Sequence, residues 1–133
     1  MDFNNKYPLS KKIGIIGGGQ LGKMMLLEAK KMGFYAVVLD PTPNCPAKSV
    51  CDELIVANFY DEAAIRELAA KTDVITYEIE HINADVLIKL ENEGKKVYPT
   101  AKSLIEIQDK LTQKKKLALA GIDRKSTRLN SSH

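Results

Sequence analysis

The feature that most constrains this chain is a short apolar run, Lys12-Ile13-Gly14-Ile15-Ile16, leading straight into Gly17-Gly18-Gly19-Gln20-Leu21-Gly22. The run fits a strand buried on both faces. After the glycines, Leu21, Met24, Met25, Ala29 and Met32 recur at helical spacing, and Gly33 stops the pattern. A strand, a tight glycine turn and a helix start are therefore expected in succession. Glycines let a ligand approach the backbone with no Cβ in the way. The helix start offers unpaired N–H groups and the positive end of a dipole. Read alone, the loop is expected to receive an anion, most readily a phosphate.

The same alternation continues downstream. Tyr35 to Leu39 is a second apolar run ending at Asp40, and Pro41, Pro43 and Pro46 then mark a loop. Glu53 to Val56 reads as a third strand. Asp61 is placed to cap a helix reaching about Ala70, with Ala64, Ile65, Leu68 and Ala69 inward. Val74 to Tyr77 is a fourth strand, followed by the acidic stretch Glu78-Ile79-Glu80-His81. Ala84 to Glu93 reads as a helix closed by Gly94, Val97 and Tyr98 as a weak fifth strand, and Ala101 to Gln108 and Asp109 to Ala120 as helical segments. Strands alternating with helices predict an α/β fold with a Rossmann-like parallel sheet flanked by helices.

Bulk properties narrow the class. The chain has 133 residues, 44% hydrophobic and 28% charged, as in ordinary globular sequences. A net charge of +3, evenly spread, and the absence of tryptophan argue against a nucleic-acid binder. No apolar run reaches the roughly 20 residues a bilayer needs, and Met1 to Lys12 lacks a secretory pattern. A cytoplasmic protein without membrane partners is expected. Cys45 and Cys51, six apart with no second pair, are expected to be reduced thiols.

Two chemical readings of the loop compete. Gly17-x-Gly19-x-x-Gly22 matches the dinucleotide fingerprint, and Asp40 sits at the end of strand two, where an acid would meet a ribose hydroxyl. That reading makes the chain an NAD(P)-binding domain of an oxidoreductase. The pair Glu78 and Glu80, however, lies at the end of strand four, also the ligand edge of a parallel sheet. Hydride transfer has no evident need for two carboxylates there. A ligand-sensing module without catalysis is a third possibility.

Four motifs in order resemble the 5-(carboxyamino)imidazole ribonucleotide synthase family, ATP-grasp ligases of purine biosynthesis. They are Ile16 to Met24, Leu39-Asp40-Pro41, Thr76 to His81, and Gln108 to Lys114. The resemblance runs from about Lys12 to Ile122. It implies that the full enzyme uses ATP and Mg²⁺ to activate bicarbonate and carboxylate the amine of 5-aminoimidazole ribonucleotide. It implies a substrate site at Gly19, Gln20, Leu21, Gly22 and Glu78, with Asp40 a further candidate, and an ATP contact at Lys110. Lysine there keeps the charge of the family's usual arginine without its planar fork. No catalytic residue and no metal ligand are assigned in this stretch, and Glu80 and His81 receive no role. The resemblance also suggests a homodimer.

The domain reading follows. Residues 1–11 are expected to be a flexible N-terminus, 12–108 a pre-ATP-grasp domain, and 109–122 the start of a connection to an ATP-grasp domain. Residues 123–133 resemble the in-frame translation of a DNA-sequencing adapter and are expected to be non-native. They carry three basic residues and one acid. On this reading the chain is an N-terminal fragment, inactive alone.

Overall fold

The computed structural model describes residues 11–120. Except for Lys11, the expected flexible N-terminus lies outside them, as does the adapter-like tail. Strands β1 (Lys12–Ile16), β2 (Tyr35–Asp40), β3 (Glu53–Val56), β4 (Val74–Tyr77) and β5 (Lys96–Val97) form one sheet in the order β3-β2-β1-β4-β5, every pair parallel. Helices α1 (Gln20–Lys31), α2 (Glu62–Lys71), α3 (Ala84–Asn92) and α4 (Ala101–Ala120) complete the chain order.

Side chains alternate across each strand, so each strand feeds two cores. Ile16, Val37, Leu39 and Ile75 join Ile65, Leu68, Leu87 and Leu104 on the side of α2, α3 and α4. Ile15, Ala36 and Val38 join Leu26, Cys45 and Ala47 on the other. This is why β1 and β2 read as continuous apolar runs rather than as alternating ones.

Local signals set the helix starts. Asp61 accepts a hydrogen bond from the Ala64 N–H at 3.1 Å, and Asn83 accepts one from Val86 at 3.2 Å. Each such cap contributes about 1 kcal/mol. The residue capping helix α1, Gly19, has no side chain to do this.

Four details differ from the sequence reading. The buried face of α1 is Gly22, Leu26 and Ala29, while Leu21, Met24 and Met32 are exposed. Residues 101–120 form one continuous helix with no break at Asp109. Pro46–Ser49 is a 3₁₀ turn, locally encoded by the proline at its first position, inside what read as plain loop. Strand β5 also begins one residue earlier than expected, at Lys96.

The chain leaves β1 toward β2 and β3, then crosses back to place β4 on the other side of β1. A crevice opens at the carboxyl ends of the strands where a parallel sheet reverses direction in this way. In register, Ile16 pairs with Tyr77. The residues that follow, Gly17 and Glu78, are thereby brought side by side.

Candidate functional site

The site is built from two loops at that switch point. Gly17 leaves β1 with φ 110°, a left-handed conformation that side chains disfavour, and its N–H bonds to the Leu39 carbonyl at 2.8 Å. The Glu78 N–H bonds to the Ile16 carbonyl at 3.1 Å, continuing the β1–β4 ladder by one residue. The Glu78 side chain turns under the glycine loop. One carboxylate oxygen accepts the Gly22 N–H at 3.0 Å, and the other accepts the Gly19 N–H at a long 3.4 Å. Glu78 is therefore the cap of α1, supplied from 56 residues away.

Asp40 does the same for the rest of the loop. Its Oδ2 accepts the Gly18 N–H and its Oδ1 the Thr42 N–H, both at 2.8 Å. The residue is 8% exposed. The Gly18 carbonyl in turn accepts the Ala47 N–H at 2.9 Å, so the 3₁₀ turn braces the loop from behind. Cys45, buried, packs against Gly18. A Cβ on Gly18 would fall 2.7 Å from its Sγ. Both thiols are free. Burial pushes the Cys51 thiol above its ordinary pKa, and the nearby Cys45 adds to this.

The loop N–H groups do not all stand open. The N–H groups of Gly18, Gly19 and Gly22 are already bonded to carboxylates of the protein itself. The N–H groups of Gln20 and Leu21 take no partner among the described residues, and the Gln20 side chain is exposed. Asp40 likewise faces the loop backbone. Its carboxylate is turned inward onto backbone and organises the loop.

The other candidates lie apart. An open apolar hollow lined by Leu21, Met24 and Met25 ends at Glu28 and Glu78. His81 lines a different cleft of about 660 Å³, with Tyr60, Asn83, Gln108 and Thr112. Glu78 and His81, three residues apart, therefore serve separate surfaces. Gln108 closes the second cleft. Its amide donates to the carbonyls of Glu80 at 2.7 Å and Ile82 at 3.2 Å, pinning the acidic loop to α4. Sequence reasoning placed Gln108 in a motif without giving it this job. Its position just before Asp109-Lys110 was the available signal. Lys110 is exposed on α4, with no hydrogen bond or ion pair among the described residues. Burial, with Glu91 nearby, raises the pKa of Tyr77, whose hydroxyl donates to the Thr100 carbonyl at 3.3 Å. Among the described residues no three His, Cys, Asp or Glu side chains converge on a metal position, and no helix is long and apolar enough to cross a membrane.

A family profile described as the ribonucleotide synthetase preATP-grasp domain matches residues 10–108. The chain belongs to this family. The N5-carboxyaminoimidazole ribonucleotide synthase of Staphylococcus haemolyticus is 51% identical over 122 residues, which cover 91% of this chain and 32% of the relative. The crystal structure of N5-carboxyaminoimidazole ribonucleotide synthetase from Thermotoga maritima superposes with a TM-score of 0.74 at 60% identity, covering 84% of this chain and 31% of that one. The Aspergillus clavatus synthase, solved in complex with ADP and 5-aminoimidazole ribonucleotide, gives a TM-score of 0.70 at 37% identity, covering 85% and 30%. The chain thus spans about a third of the length of the relatives it matches. The expected α/β fold with a parallel sheet stands, now as that of a preATP-grasp domain. The oxidoreductase alternative is not favoured.

Proposed function

We propose that this preATP-grasp domain is the ribonucleotide-binding part of a ligase that carboxylates 5-aminoimidazole ribonucleotide with ATP and bicarbonate. The observation that carries this reading is the convergence of the glycine loop and Glu78 at the switch point of the sheet. It occurs in a chain half identical to synthases named for that product. Gln20 offers an exposed amide, and Gln20 and Leu21 offer unpartnered N–H groups to ligand oxygens. Glu78 offers lone pairs to a ligand donor. Gly19 and Gly22 hold Glu78, and Asp40 holds the loop.

Lys110 is proposed as a point charge toward ATP. The described residues do not fit a Mg²⁺ site, because none converge and the carboxylates of Glu78 and Asp40 are bonded to backbone. Mg²⁺ and the phosphates of ATP would be held by other parts of the full ligase, and no step through them falls to this domain. The domain binds and orients the ribonucleotide. The full ligase is proposed to be cytoplasmic and homodimeric.

A chimera tests this. Residues 12–120 replace the matching third of the Thermotoga maritima enzyme. ADP release should then require both 5-aminoimidazole ribonucleotide and bicarbonate, and Gln20→Ala should raise the ribonucleotide KM. A folded chimera whose ADP release ignores the ribonucleotide would refute the proposal.

A further inference from the structure

The stretch from Glu78 to Asn83 is neither strand nor helix, and backbone hydrogen bonds tie its two ends. The Glu78 N–H reaches the Ile16 carbonyl at 3.1 Å, and the Asn83 N–H reaches the Phe59 carbonyl at 3.3 Å. Among the described residues only Gln108 hydrogen-bonds to its middle. The amide uses both of its donors there, one on the Glu80 carbonyl at 2.7 Å and one on the Ile82 carbonyl at 3.2 Å. Gln108 is also a boundary on α4. Ala101 and Leu104 before it are buried in the core. After the half-buried Leu111, every described side chain of the helix is exposed. Among the described residues, Gln108 is therefore the last of α4 to hydrogen-bond to another element. Lys110 follows it by about 3 Å along the helix axis.

We infer that Gln108 is a positioning residue for the carboxylation: by fixing the acidic loop against α4, it fixes the ribonucleotide beside Glu78 relative to the ATP met by Lys110. This role rests on the function proposed above. An amine that must meet an activated carboxyl group gains much of its rate from being held in line, and a displacement of about 1 Å costs about a hundredfold. Activated bicarbonate that finds no amine in place is lost to water. Loss of the tie should therefore separate ATP cleavage from carboxylation. The donors of Gln108 matter here, not its bulk. Gln108→Glu keeps the length and volume but sets carboxylate oxygens against two carbonyl oxygens.

The chimeric ligase described above tests this, with ADP and carboxylated ribonucleotide measured in the same reaction. The chimera with Gln108 intact should yield the two in equal amounts. Gln108→Glu should yield ADP in about threefold excess or more. The ratio does not depend on how much of the enzyme is folded, so a merely structural loss leaves it at equality. Equal amounts in Gln108→Glu would overturn the inference. If that variant fails to fold, Gln108→Met, which keeps the length without donors, is read in the same way. A second measurement needs no ligand. In the 133-residue chain labelled with ¹⁵N, Gln108→Glu should speed amide exchange at Glu78 and Asn83 about tenfold while Ile15 in the core keeps its rate. Unchanged exchange at both would show that Gln108 does not hold the loop, and would also overturn the inference. A chimera whose ADP release ignores the ribonucleotide sinks the proposed function and this role together, whereas equal yields in Gln108→Glu sink this role alone.

Discussion

The carbonyl oxygen of Gly17 stands where the first carbon of any side chain at position 22 would have to go. The two residues belong to opposite ends of one turn, so the strand cannot shift away without losing its ladder, nor the helix without losing its first hydrogen bonds. Gly22→Ala is therefore expected to cost about 3 kcal/mol or more, the upper range for forced overpacking. Gly18→Ala presses instead on the Cys45 thiol, a side chain that can turn, and should cost less, about 1–2 kcal/mol. Denaturant unfolding of the two variants should rank them in that order. Equal losses would mean that the turn is softer than its geometry.

Asp40 holds two backbone N–H groups with two oxygens. Asn at this position keeps one acceptor and turns an NH₂ group toward a donor. Leaving one buried N–H unmet costs about 1–3 kcal/mol. Asp40→Asn should lower stability by that amount and speed amide exchange at Gly18 or Thr42. If Asp40 instead served the ligand directly, the change would spare stability and harm binding alone.

Much of this was legible from sequence because it is local. The strands from Lys12 to Tyr77 are apolar runs between turn signals, and Asp61 announces its helix by a cap. What was not legible is long-range or two-sided. The partnership of Glu78 with Gly22 depends on β4 crossing to the far side of β1, and nothing near either residue encodes that crossing. Which face of α1 is buried was not legible, because leucine and methionine occur around the whole helix and periodicity cannot say which stripe meets the sheet. The inward turn of Asp40 was hidden for the same reason. A strand-end acid looks alike whether it faces solvent or backbone.

Glu53 ties the edge strand β3 to the rest of the fold and should make stability pH-dependent. It accepts from Lys71 at 2.8 Å and from the Tyr35 hydroxyl at 2.7 Å. The hydrogen bond from Lys71, then that from Tyr35, holds its pKa below the ordinary 4.5. A group whose pKa is lower in the folded state stabilises fully above its unfolded value, and that contribution is lost as pH falls through the folded value. The advantage of the wild type over Glu53→Gln should therefore be constant at neutral pH and shrink below about pH 4.5. Urea midpoints taken from pH 7 to pH 3 measure it. A gap that widens in acid would contradict the sign.

Gln108 reaches two carbonyls with one amide, those of Glu80 and Ile82. Gln108→Ala should cost about 1–2 kcal/mol, one to two net hydrogen bonds. It should also raise amide exchange from Glu78 to Asn83 while leaving β1 and β2 protected. If exchange rises uniformly instead, α4 supports the whole fold rather than this loop.

Helix α1 offers the sharpest contrast between its two apolar stripes. Leu26 is 0% exposed in the second core, whereas Met24, two residues earlier, is 60% exposed. Leu26→Ala removes buried methyl groups and leaves a cavity between α1 and β1, a loss of about 2–5 kcal/mol. Met24→Ala removes a side chain that mostly touches water, and should stay within about 0.5 kcal/mol. Alanine is also the stronger helix former, so a slight gain is the expected direction for Met24. Thermal unfolding of the 133-residue chain should separate the two by several degrees. If Met24→Ala were as damaging as Leu26→Ala, the exposed stripe would be covered in solution. The buried face read from Gly22, Leu26 and Ala29 would then describe only half of what α1 packs against.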